Sequence, residues 1–101
     1  MINSNLAFKV INVHLGVDTI YTDVSGFRQL LSFYEECRKY SGNTIFISLD
    51  NVSWVDGNLC AFLGALLYRL NKENNLTFSI DAKQVSKKCN VLFNNNFIPL
   101  V

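Results

Sequence analysis

Reactive side chains are scarce in this chain: its 101 residues include one histidine, one proline, one methionine, one tryptophan and three cysteines. His14 lies in a strand-like stretch (VINVHL) with no second histidine, cysteine pair or carboxylate near it, so it reads as a partly exposed strand residue and not as a catalytic base. Cys37, Cys60 and Cys89 are far apart and lack CxxC spacing, which favours buried reduced thiols over metal or redox chemistry. Neither a Walker A sequence nor GxGxxG is present, and a lone Gly57 is weak grounds for a phosphate cradle. An excess of one charge is also missing. Nine basic and eight acidic residues leave a net charge of +1, and the cations are scattered apart from Lys83, Lys87 and Lys88, so the field that nucleic-acid binding needs is absent. No apolar run approaches the roughly 20 residues that span a bilayer, and the amino terminus, MINSNLAFKV, has no basic segment ahead of a hydrophobic run. The expectations are a cytoplasmic protein with a protein partner, no nucleic-acid or membrane partner, no metal and no cofactor.

What remains is a chain that is 50% hydrophobic, enough for one domain with a real core over residues 1–101 but not for two. Ala7 to Leu15 is dense in β-favouring side chains, Gly16 to Asp18 looks like a turn, and Thr19 to Thr22 can form a second strand, which predicts an opening hairpin. Asp23 or Ser25 can cap a helix in which Phe27, Leu30, Leu31, Tyr34 and Cys37 or Arg38 recur at helical spacing, with Gly42 as its left-handed terminator. Ile45, Phe46, Ile47 and Leu49 read as a strand covered on both faces. Leu59, Phe62, Leu63, Leu66, Leu67 and Leu70 follow at helical spacing after a connection of about seven to nine residues. Asn74 and Asn75 break that pattern, Leu76 to Ile80 alternates as a strand does, and Asp81 can cap a last helix with Val85, Cys89 and Leu92 on one face. No internal repeat is evident. The expected class is α/β, order ββαβαβα, with a mixed four- or five-stranded sheet and helices packed on it. Phe97 to Val101 (FIPLV) reads as the start of a further element, so the chain is expected to be the amino-terminal part of a longer protein or to rest its last strand on another element.

Chemistry concentrates between the central strand and the leucine-rich helix, where Asp50, Asp56 and Asn58 can face a partner. Asp56 is read as the cap of that helix, alone or with a place in an interface, and Gly57 beside Asn58 as a tight turn with a second capping side chain. Trp54 can anchor an interface or cover the core, with the balance toward the core. The run Ile45 to Leu49, Asp50, Val52, Trp54, Val55 and Asp56, with leucines in register from Leu59, resembles the domain shared by sulfate transporters and anti-sigma factor antagonists, called STAS. The resemblance extends more loosely over about Phe8 to Phe97 and implies a STAS-like fold and a non-catalytic, partner-switching interaction domain. It also implies an ATP-binding, kinase-like regulator as partner, in trans or as a following domain. In that family a serine or threonine follows the loop aspartate and is phosphorylated. Here Gly57 stands there, and Ser53 is the nearest hydroxyl, read as a loop hydrogen-bonder. The candidate partner-binding set is Ser53, Trp54, Asp56, Gly57, Asn58 and Cys60. Two other readings compete: a small-ligand or nucleotide-binding module, and an aspartyl phosphotransfer protein using Asp50, which lacks the companion carboxylates that such chemistry needs.

Overall fold

The computed structural model describes residues 10–81, 83 and 84. Strands Val10–His14 (β1) and Asp18–Ile20 (β2) precede helix Val24–Cys37 (α1), and strands Thr44–Ser48 (β3) and Val52–Val55 (β4) precede helix Gly57–Asn74 (α2). Strand Thr77–Ile80 (β5) follows, and Lys83 and Gln84 are helical. β1, β3 and β5 form a three-stranded sheet in that order, while β2 and β4 form a separate two-stranded ladder. Every pairing among the described residues is parallel.

The opening hairpin is therefore not formed, and with it goes the strand reversal that would have made the sheet mixed. The Leu15 N–H still donates to the Ser48 carbonyl at 3.0 Å, and three residues later the Asp18 N–H donates to the Asn51 carbonyl at 2.7 Å. Between them the chain steps sideways from one ladder to the next without turning back. Asp18 makes the step with φ at 53°, a left-handed conformation that aspartate tolerates better than most residues.

The connections from β1 to β3 to β5 run the same way along the sheet, and crossovers of one hand, right-handed by the general rule, place the two helices α1 and α2 on one face. Val13, Ile45, Ile47 and Phe78 are buried beneath them. On the opposite face Asn12 and His14 are exposed and Phe46 and Ser79 half-buried. On that face of β3 Ser48 is buried but Phe46 only half-buried, so the cover is less complete than its apolar run led us to expect.

The two strand–strand–helix units correspond in order and in spacing. Val10 pairs with Thr44, an offset of thirty-four residues, and Thr44 with Thr77, an offset of thirty-three. The helices keep the same spacing: Asp23 and Asp56 cap α1 and α2, and the buried set Gly26, Leu30, Phe33 and Cys37 recurs as Leu59, Leu63, Leu66 and Leu70. Each unit buries its apolar side against the next, as stacked repeats do. A third aspartate, Asp81, accepts from the Lys83 N–H at 2.9 Å after β5.

This repeat was missed because the face of α1 was only partly right: Leu30 and Cys37 are buried as expected, but the rest of the stripe lies elsewhere. Phe27 and Leu31 are exposed and Tyr34 half-buried. The buried stripe runs through Gly26, whose missing side chain lets the helix approach both the Tyr21 carbonyl and the Leu59 side chain. A glycine carries no hydrophobic signal, so the true face looked empty there. Phe27 instead packs edge-on against Phe62 of α2, with ring centroids 5.2 Å apart.

Helix ends are fastened by asparagine. Asn75 takes the left-handed conformation that closes α2, and Asn71 donates to the Leu76 carbonyl at 2.8 Å. The Asn74 amide reaches the Arg38 and Tyr40 carbonyls, and its own carbonyl accepts from the Gly42 N–H, so the end of α2 holds the loop before β3. Gly42 is left-handed as expected, but within that loop, because α1 ends at Cys37. Burial, followed by the nearby Glu36 charge, pushes the Cys37 thiol up to about 12, so it stays protonated and inert near neutrality. The last-helix face Val85, Cys89 and Leu92, the lysines Lys87 and Lys88, and the tail Phe97 to Val101 lie outside the described residues.

Gly26→Ala tests this packing. A Cβ there meets the Tyr21 carbonyl, which is backbone and cannot yield, so the variant is expected to lose about 2–3 kcal/mol despite the better helix propensity of alanine. Thermal unfolding by circular dichroism should show a melting temperature lower by about 10 °C. A rise would mean that the helix does not pass this close.

Candidate functional site

The segment expected to be one connection contains a strand. A turn at Asp50 and Asn51, closed by the Val52 N–H on the Leu49 carbonyl at 3.0 Å, leads into β4, which pairs with β2. The pairing is irregular in one place. Asp18 faces Val52, but the next residue, Thr19, faces Trp54, which leaves Ser53 as an extra residue on β4. A bulge of this kind resets the alternation of side chains beyond it.

That reset decides which residues meet solvent. In an unbroken strand Val52 and Trp54 would point the same way, into the core. With Ser53 bulged, Ser53 and Trp54 both face outward and Val55 returns inward, so Trp54 is 47% exposed while Val52 and Val55 are buried. Here the earlier balance toward a core tryptophan is corrected. On β2, Ile20 points inward and is paired with Val55, which puts Tyr21 on the outer face with Thr19 and Trp54. Tyr21 is 60% exposed. The outer face of this ladder therefore carries two aromatic rings.

Asp56 sits at the end of β4 and ties three elements together. Its N–H donates to the Ile20 carbonyl at 2.9 Å, its own carbonyl accepts from the Leu59 N–H at 2.9 Å, and its carboxylate accepts from the Asn58 N–H at 3.2 Å. The Asn58 amide and the Thr22 hydroxyl beside the carboxylate hold its pKa below the ordinary value. Asp56, rather than Asn58, is thus the cap of α2. Gly57 is the first helical residue and is exposed, without the left-handed turn that its identity suggested. Asn58 is exposed one position further on.

Cys60 does not belong to this surface. It is 1% exposed, and the buried side of α2 includes Cys60 and Gly64 as well as the leucines, so the apolar face is broader than the leucine stripe alone. Asp50 is exposed at the turn and accepts from the Gln84 amide at 3.1 Å. Among the described residues no group of three or more histidine, cysteine or acidic side chains could hold a metal ion. No helix of the described residues is long and apolar enough to cross a membrane.

The structure brings Ser53, Trp54, Asp56, Gly57 and Asn58 to one edge and adds Tyr21 and Thr22, which sequence reasoning missed. The signal that could have found them is the thirty-three-residue spacing of Asp23 and Asp56, which places the end of β2 beside the end of β4. Compared with known proteins, the chain matches no family model, no curated protein and no solved structure.

The Asp56 hydrogen bonds have a measurable consequence. A carboxylate with a depressed pKa stabilises the fold above the unfolded-state value and loses that contribution as pH falls through the folded value. In a carboxyl-resolved NMR titration Asp56 should titrate below the ordinary 3.8. Its contribution should be full at neutral pH and vanish in acid. Titration at or above 3.8 would show that the cap is not formed.

Proposed function

We propose that this chain is a non-catalytic regulatory interaction domain of the partner-switching type, a divergent relative of STAS domains, that docks another protein through Ser53, Trp54, Asp56, Gly57, Asn58 and the adjoining end of β2. The observation that carries the reading is the outward turn of Trp54 at the Ser53 bulge. A large ring held on a short strand loses little freedom on binding and offers a wide contact area, which is why tryptophan so often anchors interfaces. Beside it, the Asp56 carboxylate and the exposed Asn58 amide supply an acceptor and donors at a helix start. The motif resemblance suggests the partner class, an ATP-binding kinase-like regulator or a following domain. Gly57 removes the hydroxyl that such a regulator would phosphorylate. Exchange of partners here would then be governed by competition for the surface rather than by phosphate on that residue.

Calorimetric titration against candidate regulators tests this. Asp56→Lys with Asn58→Lys, and separately Trp54→Ala, should each weaken a demonstrated association about tenfold or more. Because the double variant also removes a cap, Asp56→Ser, which keeps a capping oxygen, distinguishes charge from folding. Unchanged affinity in Trp54→Ala would place the interface elsewhere.

A second reading, small-ligand or nucleotide binding, is favoured by one feature: an open groove of about 780 Å³ between β1 and α1, lined by His14, Ser25, Arg28, Ser32 and Glu36 among others. Its size suits a small molecule. A nucleotide panel in a thermal-shift assay should leave the melting temperature unmoved if protein docking is the function, and a clear rise with one nucleotide would favour this alternative.

A further inference from the structure

The docking reading leaves the chemistry of the partner open, and the distribution of charge narrows it. We infer that the segment bound on the outer face of β2 and β4 is basic, a lysine- or arginine-bearing stretch of another protein; this rests on the docking reading above.

Charge in this chain is segregated by place. From residue 10 to 27 and from 40 to 68, the segments that contain β1 to the first turn of α1 and β3 to most of α2, there are four aspartates, Asp18, Asp23, Asp50 and Asp56, and no lysine or arginine. The glutamates lie toward the other ends of the helices, and each has a cation: Glu35 with Arg38 at 3.4 Å, Glu36 with Lys39 at 3.0 Å and Glu73 with Arg69 at 3.0 Å. Among the described residues, no ion pair involves an aspartate. Of the nearest described cations, Arg28 lines the groove toward β1, and Lys83 follows Asp81 beyond β5.

Asp18, Asp23 and Asp56 bracket the exposed rings. Asp18 opens β2 opposite Val52, Asp23 follows Tyr21 and Thr22, and Asp56 follows Trp54 and Val55. A ring face attracts ammonium and guanidinium groups, and a neighbouring carboxylate pairs with the same groups. Both features select one kind of side chain. An apolar partner would cover these carboxylates and leave them unpaired, and an acidic one would be repelled, as would nucleic acid or an anionic membrane. The sheet face and its rim therefore fit a cationic segment with methylene stems long enough to lie along Tyr21 and Trp54.

Peptides displayed on phage and selected for binding to the intact chain provide the test, with each selected peptide then titrated against variants. The charge variant is Asp18→Asn with Asp23→Asn and Asp56→Asn, since asparagine tolerates the left-handed position and caps helices as well as aspartate does. The surface variant is Trp54→Ala. Selected peptides rich in lysine and arginine, weakened about tenfold or more by either variant and further by added salt, are the expected result. Peptides that are apolar or acidic yet lose affinity with Trp54→Ala would overturn the basic partner and leave the docking surface standing. No enrichment, or binding indifferent to Trp54→Ala, would overturn both.

Discussion

The parallel pairing of β2 with β4, interrupted by one extra residue at Ser53, governs what this molecule presents to its surroundings. Backbone hydrogen bonds fix Ile20 beside Val55, and the core accepts both side chains. With those two positions set, the chain between Val52 and Val55 has one residue more than its partner strand can match, so Ser53 and Trp54 must both lie outside. A regular ladder that paired Ser53 with Thr19 would instead turn Trp54 inward opposite Ile20 and drive a tryptophan into space now filled by smaller side chains. The exposed ring follows from strand register rather than from an accident of loop conformation.

The same register organises the rest. Each unit runs strand, short strand, aspartate cap, helix, and its neighbour repeats the order about thirty-three residues later. Gly26 allows the first helix to seat against the Tyr21 carbonyl and Leu59, which brings the two capped helix starts side by side. Asn74 and Asn75 serve the opposite end, where the charged residues are paired into surface bridges that contribute little to stability. One end of the molecule thus has its glutamates paired with cations, and the other has aspartates and aromatic rings facing solvent.

Much of this was legible in the sequence, and the failures have specific causes. The β3 run, the leucine helix, the Asp23 and Asp56 caps and the β5 alternation each rest on a local signal several residues long, and all appear in the structure. The opening hairpin failed because a glycine-containing turn does not reveal whether the chain reverses or only steps aside. Trp54 was read as a loop residue with the balance toward the core, because β4 was not foreseen, and no residue type marks its bulge in advance. Cys60 stood in the candidate set although it also read as a buried thiol, and the helix turns it into the core. Tyr21 and Thr22 were overlooked because their membership depends on a ladder between segments more than thirty residues apart.

The sole tryptophan makes the central claim directly observable. Collisional quenching of Trp54 fluorescence in the native chain, compared between caesium, iodide and neutral acrylamide, reports both its exposure and the sign of the charge around it. The expected result is ready quenching by acrylamide and stronger quenching by caesium than by iodide, with the difference shrinking as salt screens the aspartates. Emission that resists acrylamide until the chain unfolds, or quenching stronger with iodide, would contradict an outward tryptophan on an acidic edge.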